Sequence, residues 1–182
     1  MNQVGYLINT REGLQGEEGF FYNYILAGNG LFIRADGPLL SATVCVALAE
    51  VRGLAPVSES VQLTHGKIPM HIYEVALSTL YSESWREQYL AVVWDHRYRL
   101  MKPSQEGSVA SVKYRRLPHT VLDIHSHSGM AAWFSSTDNK DEQGLQLYMV
   151  VGEMGKLIPK VELRVGVYGY FATLDKAEVF IV

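Results

Sequence analysis

Thr120-Val121-Leu122-Asp123-Ile124-His125-Ser126-His127 is the stretch on which the reading of this chain turns. Its first five residues are largely β-branched and apolar, which predicts a buried strand ending at the histidines. On extended backbone residues i and i+2 share a face, so His125 and His127 project together and Ser126 points away. After seven intervening residues comes Ser135, and after two more comes Asp138. Ser135-Ser136-Thr137-Asp138 has the side chains that cap the free N–H groups of a first helical turn. A strand end and a helix start can converge on one ion. Two imidazoles and a carboxylate suit zinc, with a fourth position left for water. The serine is more than a plain metal site needs, and its hydroxyl can donate to an oxyanion. Two histidines two apart are common by chance. The Ser and Asp at fixed offsets after a strand make the pattern specific.

This segment resembles the JAMM motif of the MPN+ (JAB) metalloproteases, His-x-His-x7-Ser-x2-Asp with an upstream Glu. Members of that family cleave peptide or isopeptide bonds next to ubiquitin or ubiquitin-like modifiers. The resemblance implies that His125, His127 and Asp138 hold one Zn2+ per chain and that Ser135 stabilises the oxyanion. The wider runs 125–144 and 164–170 are similar to the A proteins of bacterial, often plasmid-borne PRTRC cassettes. Those cassettes also encode a ubiquitin-like protein and an E1-like ThiF relative. The implied partners are therefore a ubiquitin-like protein or its conjugates, and the ThiF relative. The chain departs from the family in having Ser128 where Pro often follows the second His, which implies a looser or differently turned loop. For the upstream base the preferred match is Glu87, which opens Glu87-Gln88-Tyr89-Leu90-Ala91-Val92-Val93-Trp94. Leu90 stands there where the family pattern has Gly. Glu50 fits Glu-x-x-Gly better but is soon followed by Pro56. Glu74 and Glu83 fall within a helical-looking segment.

Of the 182 residues, 48% are hydrophobic and 19% charged, enough apolar material for a proper core. Net charge is -3, which offers no electrostatic footprint for nucleic acid. The one basic cluster, Lys113-Tyr114-Arg115-Arg116, reads as a strand end and solvated turn. Cys45, the sole cysteine, sits in an apolar run and reads as a small buried hydrophobe in a reducing compartment. No apolar run approaches a membrane span, and Met1-Asn2-Gln3-Val4-Gly5-Tyr6 lacks the marks of a signal peptide. The expected location is cytoplasmic, with no membrane partner.

Residues 1–20 are polar and Gly-rich and predict a loose leader or irregular edge. Apolar runs 20–26 and 31–35 flank Ala27-Gly28-Asn29-Gly30, the strongest short hairpin signal in the chain. Residues 39–51 fit either strand or short helix. Ile68-Pro69 fits a helix start, and the spacing of Ile72, Val75, Ala76, Thr79 and Leu80 predicts a helix to about Ser84. Strands are expected over 88–94, 97–101, 109–114, 121–125, 145–151, 161–168 and 179–182, with a brief helix near Asp138. These elements predict an α+β fold, a mixed sheet flanked by helices. The resemblance makes it JAB/MPN-like, in the manner of cytidine deaminases. Its parts are a small β-rich unit over 1–65 and a metal-binding domain over 66–182.

His65, His71, His96 and His119 lie in turns or at element ends and read as surface or capping residues. Asp141 and Glu142 read as acids favouring a helix dipole. Trp133 and Phe134 either pack the motif loop or line a substrate cleft. A non-catalytic MPN-type binding module is the alternative to an enzyme, and a hydrolase with a non-protein substrate is a third reading.

Overall fold

The computed structural model describes residues 2–107 and 112–181 and forms two units. The first comprises Met1–Thr64, Glu142–Leu145 and Val165–Ala172. The second comprises His65–Asp141, Gln146–Arg164 and Thr173–Val182.

The first unit is built on a six-stranded sheet. Its strands are β1 (Val4–Thr10), β2 (Gly13–Glu17), β3 (Tyr22–Ala27), β4 (Gly30–Asp36), β5 (Leu40–Leu48) and β6 (Ser60–Leu63), in the order β2-β1-β3-β4-β5-β6. The Gly28–Asn29 turn is the expected hairpin, with Ala27 paired to Gly30 across antiparallel β3 and β4. Gly30 has φ 149, a conformation natural to glycine. Leu7, Ile25, Ala27 and Phe32 form a buried cluster on which Cys45 and Val57 pack. The ambiguous run 39–51 is resolved as strand β5 up to Leu48. Residues 1–20 are not a loose leader. Val4–Thr10 pairs in parallel with β3 and in antiparallel with β2. β2 is exposed along its whole length. It is held by backbone hydrogen bonds and so shows no burial alternation in its sequence.

The second unit carries helix α1 (Met70–Ser82), whose buried Ile72, Ala76 and Leu80 recur every four residues along one face. Pro69 occupies the N-cap position of α1 and also ends a short strand, β7 (Ile68–Pro69), which pairs with β16 (Phe180–Ile181). The remaining strands of the chain are β8 (Tyr89–Trp94), β9 (Tyr98–Met101), β12 (Thr120–His127), β13 (Leu145–Gly152), β14 (Lys160–Val167) and β15 (Tyr170–Thr173), of which Val165–Val167 and Tyr170–Ala172 belong to the first unit. They form a second six-stranded sheet in the order β15-β14-β13-β12-β8-β9. A small hairpin joins β10 (Gln105–Gly107) to β11 (Val112–Tyr114). Residues 109–111 of the strand expected over 109–114, and Val182 of the last one, lie outside the described residues. Two further helices are short: α2 (Ser136–Asp141) and α3 (Lys176–Val179).

The expected α+β, JAB-like architecture is not what forms. The fold is mostly β, with 48% strand against 13% helix, two large mixed sheets and three short helices. The physical reason lies in where strand pairing extends. The polar N-terminal segment joins a sheet, and among the described residues α1 is the one helix longer than six residues, so the sheet is not flanked by helices in the expected manner. Among the described residues no helix is long and apolar enough to cross a membrane.

Leu80 is fully buried on α1. Leu80→Ala is expected to cost about 2–5 kcal/mol of stability, read by urea titration. A loss below about 1 kcal/mol would contradict the packing assigned to this face.

Candidate metal centre

β12 has neighbours on both sides, antiparallel β8 and parallel β13, and Val121–Ile124 are buried. That is the setting in which a short β-branched apolar run is stable. At its C-terminal end His125 and His127 share a face, with ring centroids 5.1 Å apart. Asp138 reaches them from α2, its Oδ1 lying 3.6 Å from His125 Nε2. One ligand atom from each of His125, His127 and Asp138 lies within 4.8 Å of the others, so the group could hold a metal ion. Two atoms bound to one tetrahedral zinc at its usual bond lengths stand roughly 3.3 Å apart. The cluster is a small side-chain adjustment from that spacing.

Each of the three side chains is held in a different way. His125 Nε2 is buried without a hydrogen-bond partner. A buried polar atom left so costs about 1–3 kcal/mol unless something satisfies it. His127 Nδ1 lies 3.2 Å from the Ala131 carbonyl oxygen. A carbonyl can only accept, so that bond places the proton on Nδ1 and leaves Nε2 bare, the form a metal needs. Asp138 Oδ2 accepts the Ser135 backbone N–H at 2.6 Å, which leaves Oδ1 turned to His125. In return the Asp138 N–H donates to Ser135 Oγ at 3.2 Å. This reciprocal pair is a capping box at the start of α2. It fixes the serine and the aspartate relative to each other, and it leaves the Ser135 hydroxyl proton available to donate.

Glu87 lies just before β8. The Ser126 N–H donates to the Gln88 carbonyl at 2.9 Å, and the Gln88 N–H donates to Ser126 Oγ at 3.0 Å. His125 pairs with Tyr89 in the antiparallel register, so continuing it by two residues puts Glu87 opposite His127. Opposed residues of an antiparallel pair share a face. Glu87 is buried, and burial pushes its carboxyl above the usual range. His127 pulls it down and Asp138 adds to the rise. The other glutamates stand differently. Glu83 pairs with Arg86 and Lys102, Glu74 is exposed on α1, and Glu50 is an exposed residue of the first unit. Burial also lowers the His125 imidazole from 6.5 to about 4. Asp138 opposes that shift, and His127 and Arg164 reinforce it.

Trp133 and Phe134 both reach the histidines. Trp133 is exposed and meets His127 edge-on at 6.2 Å, and Phe134 meets His125 in the same way at 6.2 Å. Asp141 ends α2 rather than opening it, so it does not favour the helix dipole as expected. Glu142 lies beyond the helix, and the acid in the first turn is Asp138. Ser128 does not leave its loop untethered, since its hydroxyl donates to the Ser84 carbonyl at 3.1 Å.

Several residues that serve the cluster carry no motif. Gln88 and Ser126 make the exchange that places Glu87. Gly152, at the end of β13, lets the motif loop lie against it. A Cβ there would stand 2.2 Å from Ala132 N and 2.4 Å from Ala131 C. Arg164 on β14 is buried under Phe134, a ring close to His125. A buried Arg inside an apolar strand run is the one sequence signal among these.

No protein-family model matches the chain, and neither does any curated protein.

In the metal-free protein His125 takes its proton at about pH 4 when folded and near 6.5 when unfolded. Between these values the unfolded chain binds more protons. The contribution to stability is therefore complete above about pH 6.5 and is lost as pH falls towards 4. His125→Asn is expected to flatten this loss by on the order of 3 kcal/mol, measured by urea titration across the window. Glu87 titrates in the opposite sense but is common to both proteins. Equal slopes for wild type and variant would contradict a buried neutral imidazole.

Proposed function

We propose that the chain is a zinc-dependent hydrolase of peptide or isopeptide bonds, with His125, His127 and Asp138 as the metal ligands. The observation that carries this reading is the convergence of two imidazole nitrogens and one carboxylate oxygen, with a buried glutamate opposite and a capped serine alongside. Nitrogen and oxygen donors without sulfur suit zinc in a site that keeps a position open. When bound, zinc lowers the pKa of a water molecule and polarises a carbonyl.

The remaining chemistry belongs to the chain. The Glu87 carboxylate takes the proton of the attacking water and returns it to the leaving amine. Its raised pKa suits the first step, because burial makes this carboxylate a stronger proton acceptor than an ordinary one, and it lets the group hold the proton until the leaving amine takes it. Ser135 accepts the Asp138 N–H and donates its own proton to the developing oxyanion. Trp133, exposed at the edge of His127, offers an apolar surface to an extended substrate segment. The similarity of runs 125–144 and 164–170 to PRTRC A proteins favours a ubiquitin-like protein, or its conjugates, as the substrate.

Purified protein reconstituted with zinc is expected to hold close to one ion per chain and to cleave a ubiquitin-like protein extended at its C-terminus. Glu87→Gln should retain zinc and lose activity by at least about 100-fold, the scale of general acid–base catalysis. Ser135→Ala should lose roughly 100- to 1,000-fold in kcat. Elemental analysis and a cleavage assay check these outcomes. Zinc-loaded wild type as inactive as Glu87→Gln on every ubiquitin-like substrate would contradict the substrate assignment. Full activity in Glu87→Gln would contradict the assigned base.

A further inference from the structure

Phe134 immediately precedes Ser135, and Asn139 immediately follows Asp138. Both are engaged by one side chain. The Arg164 guanidinium carbon lies 3.7 Å from the centroid of the Phe134 ring, and Arg164 Nη1 donates to Asn139 Oδ1 at 2.6 Å. Arg164 is itself buried, on β14 of the second unit's sheet. Its guanidinium also lies 5.9 Å from the ring centroid of Tyr148 on β13. A single planar cation thus spans the segment that bears the serine and one of the three ligands, touching it at both ends.

We propose that Arg164 is the positioning residue for Ser135 and Asp138, gripping the turn they occupy through Phe134 on one side and Asn139 on the other. This rests on the zinc-hydrolase reading above. The physical case comes from the length of α2. A helix of six residues has little stability of its own, and its capping box fixes Ser135 only relative to Asp138. Something must still hold the pair against the strand that carries the histidines. Arg164 is anchored in the sheet and meets both flanks. A guanidinium stacks flat on an aromatic ring while directing an N–H sideways, whereas an ammonium makes no such combined contact. Support of this kind around a metal ligand is worth about 10- to 100-fold in affinity.

The test uses zinc alone as the probe, with affinity read by competition against a chromogenic chelator. Arg164→Met is expected to weaken zinc binding about 10- to 100-fold and to speed amide hydrogen exchange over residues 135–141 in the metal-free protein. Arg164→Lys should recover little of either. Asn139→Ala and Phe134→Leu should each weaken binding by a smaller factor. Asn139→Ala added to Arg164→Met should cost less than the two changes sum to, because their shared contact is already gone. Zinc affinity in Arg164→Met within about twofold of wild type would overturn the proposal, twofold being the scale of unrelated surface changes. If Arg164→Met does not fold, Asn139→Ala and Phe134→Leu decide, and wild-type affinity in both overturns it. A wild type that takes up no zinc removes the metal centre and this role of Arg164 together. A wild type that binds zinc, with variants that bind equally well, removes only the role of Arg164.

Discussion

Ser126 and Gln88 exchange two hydrogen bonds where β12 runs out beside the start of β8. The geometry of the candidate centre follows from that exchange. It holds the last turn of extended chain in register, so His125 and His127 keep a common face and Glu87 falls opposite the second of them. Gln88 extends the tie further, because its side-chain amide donates to the carbonyl oxygens of Leu80 and Glu83 at the end of α1. A buried amide and a buried hydroxyl, both hydrogen-bonded, thereby fasten helix to strand beside the glutamate.

The remaining parts are set by close backbone approach and by reciprocity. Gly152 admits the loop after β12, and that loop brings the Ala131 carbonyl to His127. The capping box of α2 locks Ser135 to Asp138, so the two side chains move as one piece. Burial then shapes the electrostatics. The same scarcity of water that keeps His125 neutral raises the affinity of Glu87 for a proton. A neutral imidazole and a carboxyl that binds its proton more tightly are both consequences of burial.

Much of this centre is legible in the sequence because its parts are local. A β-branched run predicts the strand, a two-residue period places the histidines, and Ser135 with Asp138 marks a helix entry. The fold as a whole is less legible. β2 is exposed at every position, and β1 buries Gly5 and Leu7 while exposing Tyr6 and Ile8, so the residue types of neither strand spell out an apolar face. Reading that segment as a leader tips the balance towards α+β, where the structure is mostly β. Asp141 falls at the end of α2 because the helix starts at Ser136 and is spent within six residues. Arg164 lies 25 residues from Asn139, and no local pattern links the two.

The central claim is that His125, His127 and Asp138 ligate one ion in common. Zinc K-edge X-ray absorption on the reconstituted protein tests it most directly. The account predicts a four-coordinate shell of nitrogen and oxygen at about 2.0–2.2 Å without sulfur, with imidazole scattering from two histidines that falls to one in His127→Ala. A shell of water oxygens alone, or one unchanged by His127→Ala, would contradict it.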